Sequence, residues 1–238
     1  MVDNYFEEYF NELSSIDPRK PQRDYLLFHR HRYKYLMHEI AELIPRDGRS
    51  DNFLMLDVGP AYQTYLIRQL FDVKVNTLGF DHLANRRSPD EVHFPVDLNQ
   101  VSQFNQPIPE HDLIIFSEVI EHLFTPVEEV MEFILRFLKP GGYLILQTPN
   151  AVCTFKRLRM LLGYHPYEPL RETRDGHFRE YTLAELDEFF IKMQMKVVKK
   201  DVRNYFNYPE KYQQLYRWIN DFFPFGFRDG ITLIGRKK

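Results

Sequence analysis

The sequence predicts an α/β protein, a doubly wound and mostly parallel sheet of seven strands with helices on both faces, on three observations. Short apolar runs recur along the chain and end in polar or acidic residues; continuous runs of this kind suit strands buried on both faces, as parallel strands are. Helical patterns lie between and after the runs, so strand and helix alternate. The chain has 238 residues, enough for one sizeable core but cramped for two domains.

Each element has its own signal. Over 24–43, Leu27, Tyr35, Leu36, Ile40 and Leu43 recur at roughly helical spacing, and Pro45 and Gly48 end the pattern. Five runs follow: FLMLD (53–57), VNTLGFD (75–81), HFPVD (93–97), DLIIFSE (112–118) and YLILQTP (143–149). Only about ten residues separate Asp81 from the next run, so a turn rather than a full crossover helix is expected there. Between the last two runs, Thr125, Pro126 and Glu128 read as N-cap, first-position proline and the glutamate of a capping box, and LKPGG (138–142) closes that helix. Thr182 and Glu185 repeat the box before LAELDEFFIKM, and strands over 196–202 and 231–236 finish the chain. Aromatic residues make up 16% of the chain and crowd its two ends. The expected organisation is one domain over 1–238, with an N-terminal helical cap (1–45) and insertions covering the substrate at 150–181 and 204–227.

Composition bounds the partners. Net charge is −3, from 31 basic and 34 acidic residues, so no global field gathers nucleic acid or an anionic membrane; any such partner must use a local patch. The one cysteine, Cys153, forms no intramolecular disulfide, and the opening MVDNYFEEYF is acidic, unlike a signal segment. A soluble, cytoplasmic protein is expected, since runs such as LIIF fall far short of the ~20 residues of a membrane span.

In FLMLDVGPAYQTYL (53–66), Gly59 follows Asp57 where a strand must turn sharply into a helix, but Pro60, Ala61 and Tyr62 stand where a dinucleotide loop carries more glycines. Asp57, Asp81, Asp97 and the pair Ser117–Glu118 end successive strands, so four neighbouring loops line one crevice. Each also has a plainer reading: Asp97 as a cap before Leu98 and Asn99, and Ser117 as a helix cap with Glu118 at the positive helix end. If SEVIEH (117–122) opens a helix, Glu118, Glu121 and His122 share a face beside the crevice; otherwise Glu121 and His122 are solvated surface, and His177 is a structural loop histidine.

The segments SEVIEHL (117–123), FLKPGGYLILQTPN (137–150) and HFREYTLAEL (177–186) are similar to those of class I S-adenosylmethionine-dependent methyltransferases, whose sheet is Rossmann-like, and resemble the branch that includes the ubiquinone-biosynthesis O-methyltransferases. The resemblance implies that Asp57, Gly59 and Pro60 meet the amino-acid end of S-adenosylmethionine, which carries no phosphate and so needs fewer glycines. It also implies that Asp81 holds the ribose hydroxyls, that Asp97 and Leu98 face the adenine, and that Ser117 lies near the methionine portion, with His82 and Glu118 completing the set. Glu118, Glu121, His122 and His177 resemble the metal ligands of small-RNA 3′-end 2′-O-methyltransferases and of some quinone-ring O-methyltransferases; oxygen ligands suit Mg²⁺ or Mn²⁺ and imidazole shifts the choice toward Mn²⁺, Fe²⁺ or Zn²⁺.

Methyl transfer is an in-line displacement that depends on positioning, and a neutral hydroxyl benefits from a base. His122 is the first candidate base, oriented by Glu121 or Glu118, with His177 beside it. The expected acceptor is a hydroxyl of a small molecule, with no membrane or nucleic-acid partner. An RNA 2′-hydroxyl trails because the charge is near neutral and no RNA-binding domain is appended; an amine acceptor and a non-catalytic scaffold stay open. A NAD-dependent oxidoreductase is disfavoured by the missing pyrophosphate turn. Lys156, Arg157, Arg159, Arg171 and Arg174, set among Tyr164, His165 and Tyr167, hold an anionic part of the substrate or form a solvated helix face. The aromatic tail over 204–227 walls a pocket, packs on the sheet or makes a homodimer contact.

Overall fold

The apolar runs become strands β1 (Leu54–Val58), β2 (Lys74–Gly79), β3 (His93–Pro95), β4 (His111–Ser117), β5 (Leu138–Pro149), β6 (Lys196–Arg203) and β7 (Gly230–Arg236) in a computed structural model that describes residues 2–16, 20–45, 52–80, 90–167, 176–207, 214, 216, 218 and 222–238. They form one sheet ordered β3-β2-β1-β4-β5-β7-β6, parallel except where β7 runs against β5 and β6. Met55, Leu56, Ile114 and Ile115 are wholly buried, as a two-sided core requires. Strand order reverses between β1 and β4, which opens a crevice at the carboxyl ends of those strands.

Helices fill both faces. On one, α1 (Val2–Ile16), α2 (Lys20–Leu43) and α3 (Tyr62–Leu70) place Phe6, Phe10, Leu36, Ile40 and Ile67 against Met55, Ile115 and Ile145. On the other, α4 (Val127–Leu135) and α6 (Leu183–Lys192) place Val130, Ile134, Leu186 and Phe190 against Leu56, Ile114 and Leu144. The N-terminal segment expected to be a cap is thus mainly a layer on the sheet, although α2 also reaches the crevice. Helix α5 (Thr154–Leu161) stands apart, with only Thr154 buried.

Several expectations are corrected. SEVIEH does not open an α-helix: Glu118 has φ 56°, and only a 3₁₀ turn follows over Ile120–His122. Ser117 is no cap, because its hydroxyl donates to Gln147 Oε1 at 3.0 Å. Thr125 does not cap α4; its hydroxyl donates to the Asn99 carbonyl at 3.0 Å, and the helix starts one residue later than expected, at Val127. LKPGG does not merely close that helix, since Leu138 already pairs with His111, and Gly141, at φ 77°, lies in β5, where that pairing is irregular. The capping box of α6 forms, with Thr182 N to Glu185 Oε2 at 2.8 Å and Glu185 N to Thr182 Oγ1 at 3.2 Å. The turn expected after Asp81, together with Asp81, His82, Arg171, Arg174 and part of the aromatic tail, falls outside the described residues.

Gly59 explains why one glycine suffices in the first loop. It sits at φ 73°, and a Cβ there would lie 2.3 Å from Val119 Cγ2. Pro60 fills the neighbouring space, its Cδ lying 3.1 Å from where a Cβ on Gly79 would be. Gly59→Ala should cost about 2 kcal/mol in denaturant unfolding from the left-handed backbone and the clash. Val119→Ala should relieve the steric share, making the double variant less destabilised than the two single changes summed.

Candidate active site

The carboxyl ends of β1, β4 and β5 bring a set of buried polar groups to one place. Asp57 is wholly buried; Thr64 Oγ1 donates to it at 2.5 Å, and the amide of Gln63 lies 3.5 Å away. Burial pushes its carboxyl up to about 7, against the lowering effect of Thr64, Gln63, Arg68 and Arg32. Next along the edge, Ser117 accepts a 2.6 Å hydrogen bond from Arg32 Nη1. Arg32 comes from α2, is 1% exposed, and also donates to His29 Nδ1 at 3.1 Å. Neither Arg32 nor His29 was singled out from the sequence. A buried arginine is visible only once α2 is laid against the end of β4, because α2 carries many other basic residues and nothing in the sequence sets Arg32 apart.

Glu118 and Glu121 follow Ser117. Burial raises the Glu118 carboxyl, the negative charge of Glu121 raises it further, and Arg32, His122 and Lys156 oppose the rise. Burial likewise raises Glu121, against the hydrogen bond from Thr148 and the charges of Arg32 and Lys156. Glu121 is fully buried: its Oε2 accepts from Thr148 at 3.0 Å, and its Oε1 has no hydrogen-bond partner, nor does Oε1 of Glu118. Unpaired buried carboxylate oxygens are costly and mark places where a cation or a donor belongs.

Residues 176–181 close over this turn. Phe178 N donates to the Glu121 carbonyl at 2.8 Å, and the His122 ring bonds through Nδ1 to the Gly176 carbonyl at 3.2 Å. The His122 and His177 rings therefore meet edge to face, with centroids 4.9 Å apart. His177 Nδ1 lies 2.8 Å from Glu180 Oε1, and the other oxygen of Glu180 holds Lys156 Nζ. A carbonyl and a carboxylate only accept, so both rings donate from Nδ1, which leaves Nε2 bare in a neutral ring. The His122 Nε2 lies 3.8 Å from the orphan Glu121 Oε1, and one ligand atom from each of Glu121, His122 and His177 lies within 4.8 Å of the others. Burial, with the charges of His122 and Lys156, pushes His177 down to about 4, so its ring is neutral at neutral pH. Glu180 thus holds His177 and is itself held by Lys156, and no spacing in the sequence links either residue to the histidines.

Of the other expected cofactor residues, Asp97 and Leu98 lie just beyond β3. Val96 N donates to the Gly79 carbonyl at 2.9 Å, which sets the turn carrying Asp97 next to the end of β2. Asp97 Oδ1 accepts from Asn99 N at 2.9 Å, so it caps the 3₁₀ turn that follows, and Leu98 packs into the core. Arg157 and Arg159 stand outside the cluster, stacked over Phe227 and Phe155.

A sheet in this order, with an acid-lined crevice at its switch point and no pyrophosphate turn, defines the class of S-adenosylmethionine-dependent methyltransferases. Residues 28–200 match the family model described as a methyltransferase domain, and the chain belongs to that family. A probable S-adenosylmethionine-dependent methyltransferase of Mycolicibacterium smegmatis is 29% identical over 168 residues, which is 68% of this chain and 56% of that protein. The match thus spans little more than half the relative's length. Among solved structures, an S-adenosylmethionine-dependent methyltransferase from Archaeoglobus fulgidus is similar with a TM-score of 0.58 at 13% identity, over 86% of this chain and 92% of the other. The N-methyltransferase NodS of Bradyrhizobium japonicum, in complex with S-adenosyl-L-homocysteine, has a TM-score of 0.51 at 12% identity, over 86% and 87%. At these identities the likeness shows the fold.

Because Glu118 is raised from its ordinary 4.5, its contribution to stability is complete at low pH and is lost as pH rises through the raised value. Glu118→Gln should therefore unfold about 1 to 2 kcal/mol later than the parent above about pH 8, the gap closing toward about pH 5. Thermal denaturation across that range measures it.

Proposed function

We propose that the protein transfers the methyl group of S-adenosylmethionine to a hydroxyl oxygen of a small molecule, activated at the cluster of Glu121, His122 and His177. The observation that carries this is that one ligand atom from each of Glu121, His122 and His177 lies within 4.8 Å of the others beside the crevice, with Glu121 Oε1 left without a hydrogen-bond partner. Such a set has little use for an amine acceptor, which needs less help from a base, but suits a hydroxyl, which must lose a proton as it attacks.

The residues divide the work as follows. The amino-acid end of the cofactor carries both charges, and Arg32 and Glu118 offer one partner for each, with Ser117 between them on the strand end. Asp57, Gly59 and Pro60 shape the turn, and Asp81, His82, Asp97 and Leu98 are assigned to the nucleoside end from the sequence pattern. The acceptor oxygen attacks the methyl carbon in line, the carbon–sulfur bond breaks with its electron pair passing to sulfur, and the product is S-adenosylhomocysteine. His177 or His122 takes the acceptor proton on Nε2. Glu180 fixes the His177 tautomer and is itself held by Lys156, as a positioning residue.

The donor set also fits a divalent ion. Two histidines and a carboxylate suit Mn²⁺ or Fe²⁺ better than Mg²⁺, and Glu121 is near enough to Glu118 for its charge to raise the Glu118 carboxyl. When bound, such an ion would lower the pKa of the acceptor hydroxyl. Net charge of −3 weighs against an RNA acceptor.

His177→Ala and His122→Ala should each lower kcat by ~10²-fold or more while calorimetry finds the affinity for S-adenosylhomocysteine nearly unchanged; unchanged turnover overturns the proposal. A thermal upshift with Mn²⁺ that vanishes in His177→Ala supports the ion, and no shift in the parent protein removes it from the scheme. Glu180→Gln should lower kcat by about tenfold with little change in KM and move the acid limb of the pH profile. A variant with the parent profile would leave Glu180 a merely structural residue.

A further inference from the structure

Helix α5 and the turn after it turn apolar side chains to the outside. Leu161 is 82% exposed, Leu162 73% and Tyr164 64%, with Phe155 and Met160 also above half. Gly163, at φ 77°, bends the chain so that Leu161 and Leu162 stand at the tip. A cavity of about 720 Å³ lies behind them, walled by Leu158 and Leu161 of α5 on one side and by Phe223 and Phe227 on the other. Phe222, 78% exposed, and Phe225 continue the apolar surface past that wall. Single exposed apolar residues are ordinary; a continuous patch with leucines at its summit is not.

In the described stretches that build this face the charges are basic, while Glu168, Asp221 and Asp229 stand next to them in sequence. Residues 150–167 and 222–228 contain no Asp or Glu, yet hold Lys156, Arg157, Arg159 and Arg228, in a chain of net charge −3. Lys156 is spent on Glu180. Arg157 and Arg159 bond only backbone carbonyls through Nε and lie over aromatic rings, so among the described residues no carboxylate neutralises them.

We infer that this face docks on the surface of an anionic lipid bilayer, with Leu161 and Leu162 entering the acyl boundary and the arginines at the headgroups. Apolar tip, basic flank and exposed aromatics are the composition of an interfacial element. No helix among the described residues is long and apolar enough to cross a membrane, so the contact is peripheral. A nucleic acid would meet leucines before any cation. A symmetric second copy would set Arg157 and Arg159 against their own counterparts with no acid between. The near-neutral chain was expected to need a local patch for any such partner, and this face provides it. It also borders the catalytic cluster, since Lys156 of the same helix reaches Glu180.

Trp218 is the only tryptophan in the chain and is 68% exposed, so its emission reports on this part of the molecule. The full chain is mixed with phosphatidylcholine vesicles with and without phosphatidylglycerol, at low and physiological salt. Sedimentation with the phosphatidylglycerol vesicles, a blue shift of Trp218 and weakening by salt are expected, and Leu161→Glu/Leu162→Glu should reduce binding by at least about tenfold. An unchanged melting temperature and S-adenosylhomocysteine affinity in that variant show that it folds. The inference is overturned if the parent stays in the supernatant with both vesicles, if it binds equally well after the double change, or if it forms a dimer and ignores lipid. None of these outcomes depends on the acceptor chemistry.

Discussion

Two hydrogen bonds, from Phe178 N to the Glu121 carbonyl and from the His122 ring to the Gly176 carbonyl, hold together segments far apart in sequence, the second across 54 residues. The meeting of Glu121, His122 and His177 depends on them. A 3₁₀ turn of three residues is too short to present three side chains on its own face, and the left-handed backbone at Glu118 turns that residue away from any helical register. The face that a helix would have supplied is instead assembled across the chain, by laying residues 176–181 over the turn. Tyr181 secures the far end, its carbonyl accepting from Ala151 N at 3.0 Å just beyond β5.

The electrostatics follow from that closure. Shutting Glu118 and Glu121 away from water raises both carboxyls, and each oxygen left without a donor is a standing cost. Arg32 offsets part of it from the opposite layer, and is itself held by Ser117 and His29. The histidines move the other way: burial and neighbouring positive charge push His29 down to about 2 and His177 to about 4, so both rings keep a lone pair at neutral pH. Buried carboxyl oxygens without donors are relieved by an incoming cation or donor, and a neutral imidazole offers a lone pair.

Much of this was readable from the residues. Five of the strands followed from apolar runs because a parallel sheet buries both faces, and the α6 capping box was found because its hydrogen bonds are local in sequence. Local rules failed where tertiary partners took over. Thr125 resembles a cap but spends its hydroxyl on Asn99, and LKPGG resembles a helix stop but pairs as strand. The helical segment expected over 1–45 is there, but α1 was not delimited within it although Phe6, Phe10 and Leu13 carry the period. The acids at strand ends and the two histidines were legible as types at a position. Their partners Arg32, Glu180 and Lys156 were not, since each reaches the site from a different element and no spacing in the sequence records such an approach.

The measurement that bears most directly on the joint action of Glu121, His122 and His177 is a double-mutant cycle on turnover. His122→Ala and His177→Ala are compared singly and together under saturating S-adenosylmethionine. Residues that act as one unit give a double variant scarcely slower than the worse single one, because the first loss already disables the site. If the two effects multiply, the histidines work independently and the shared site described here does not exist.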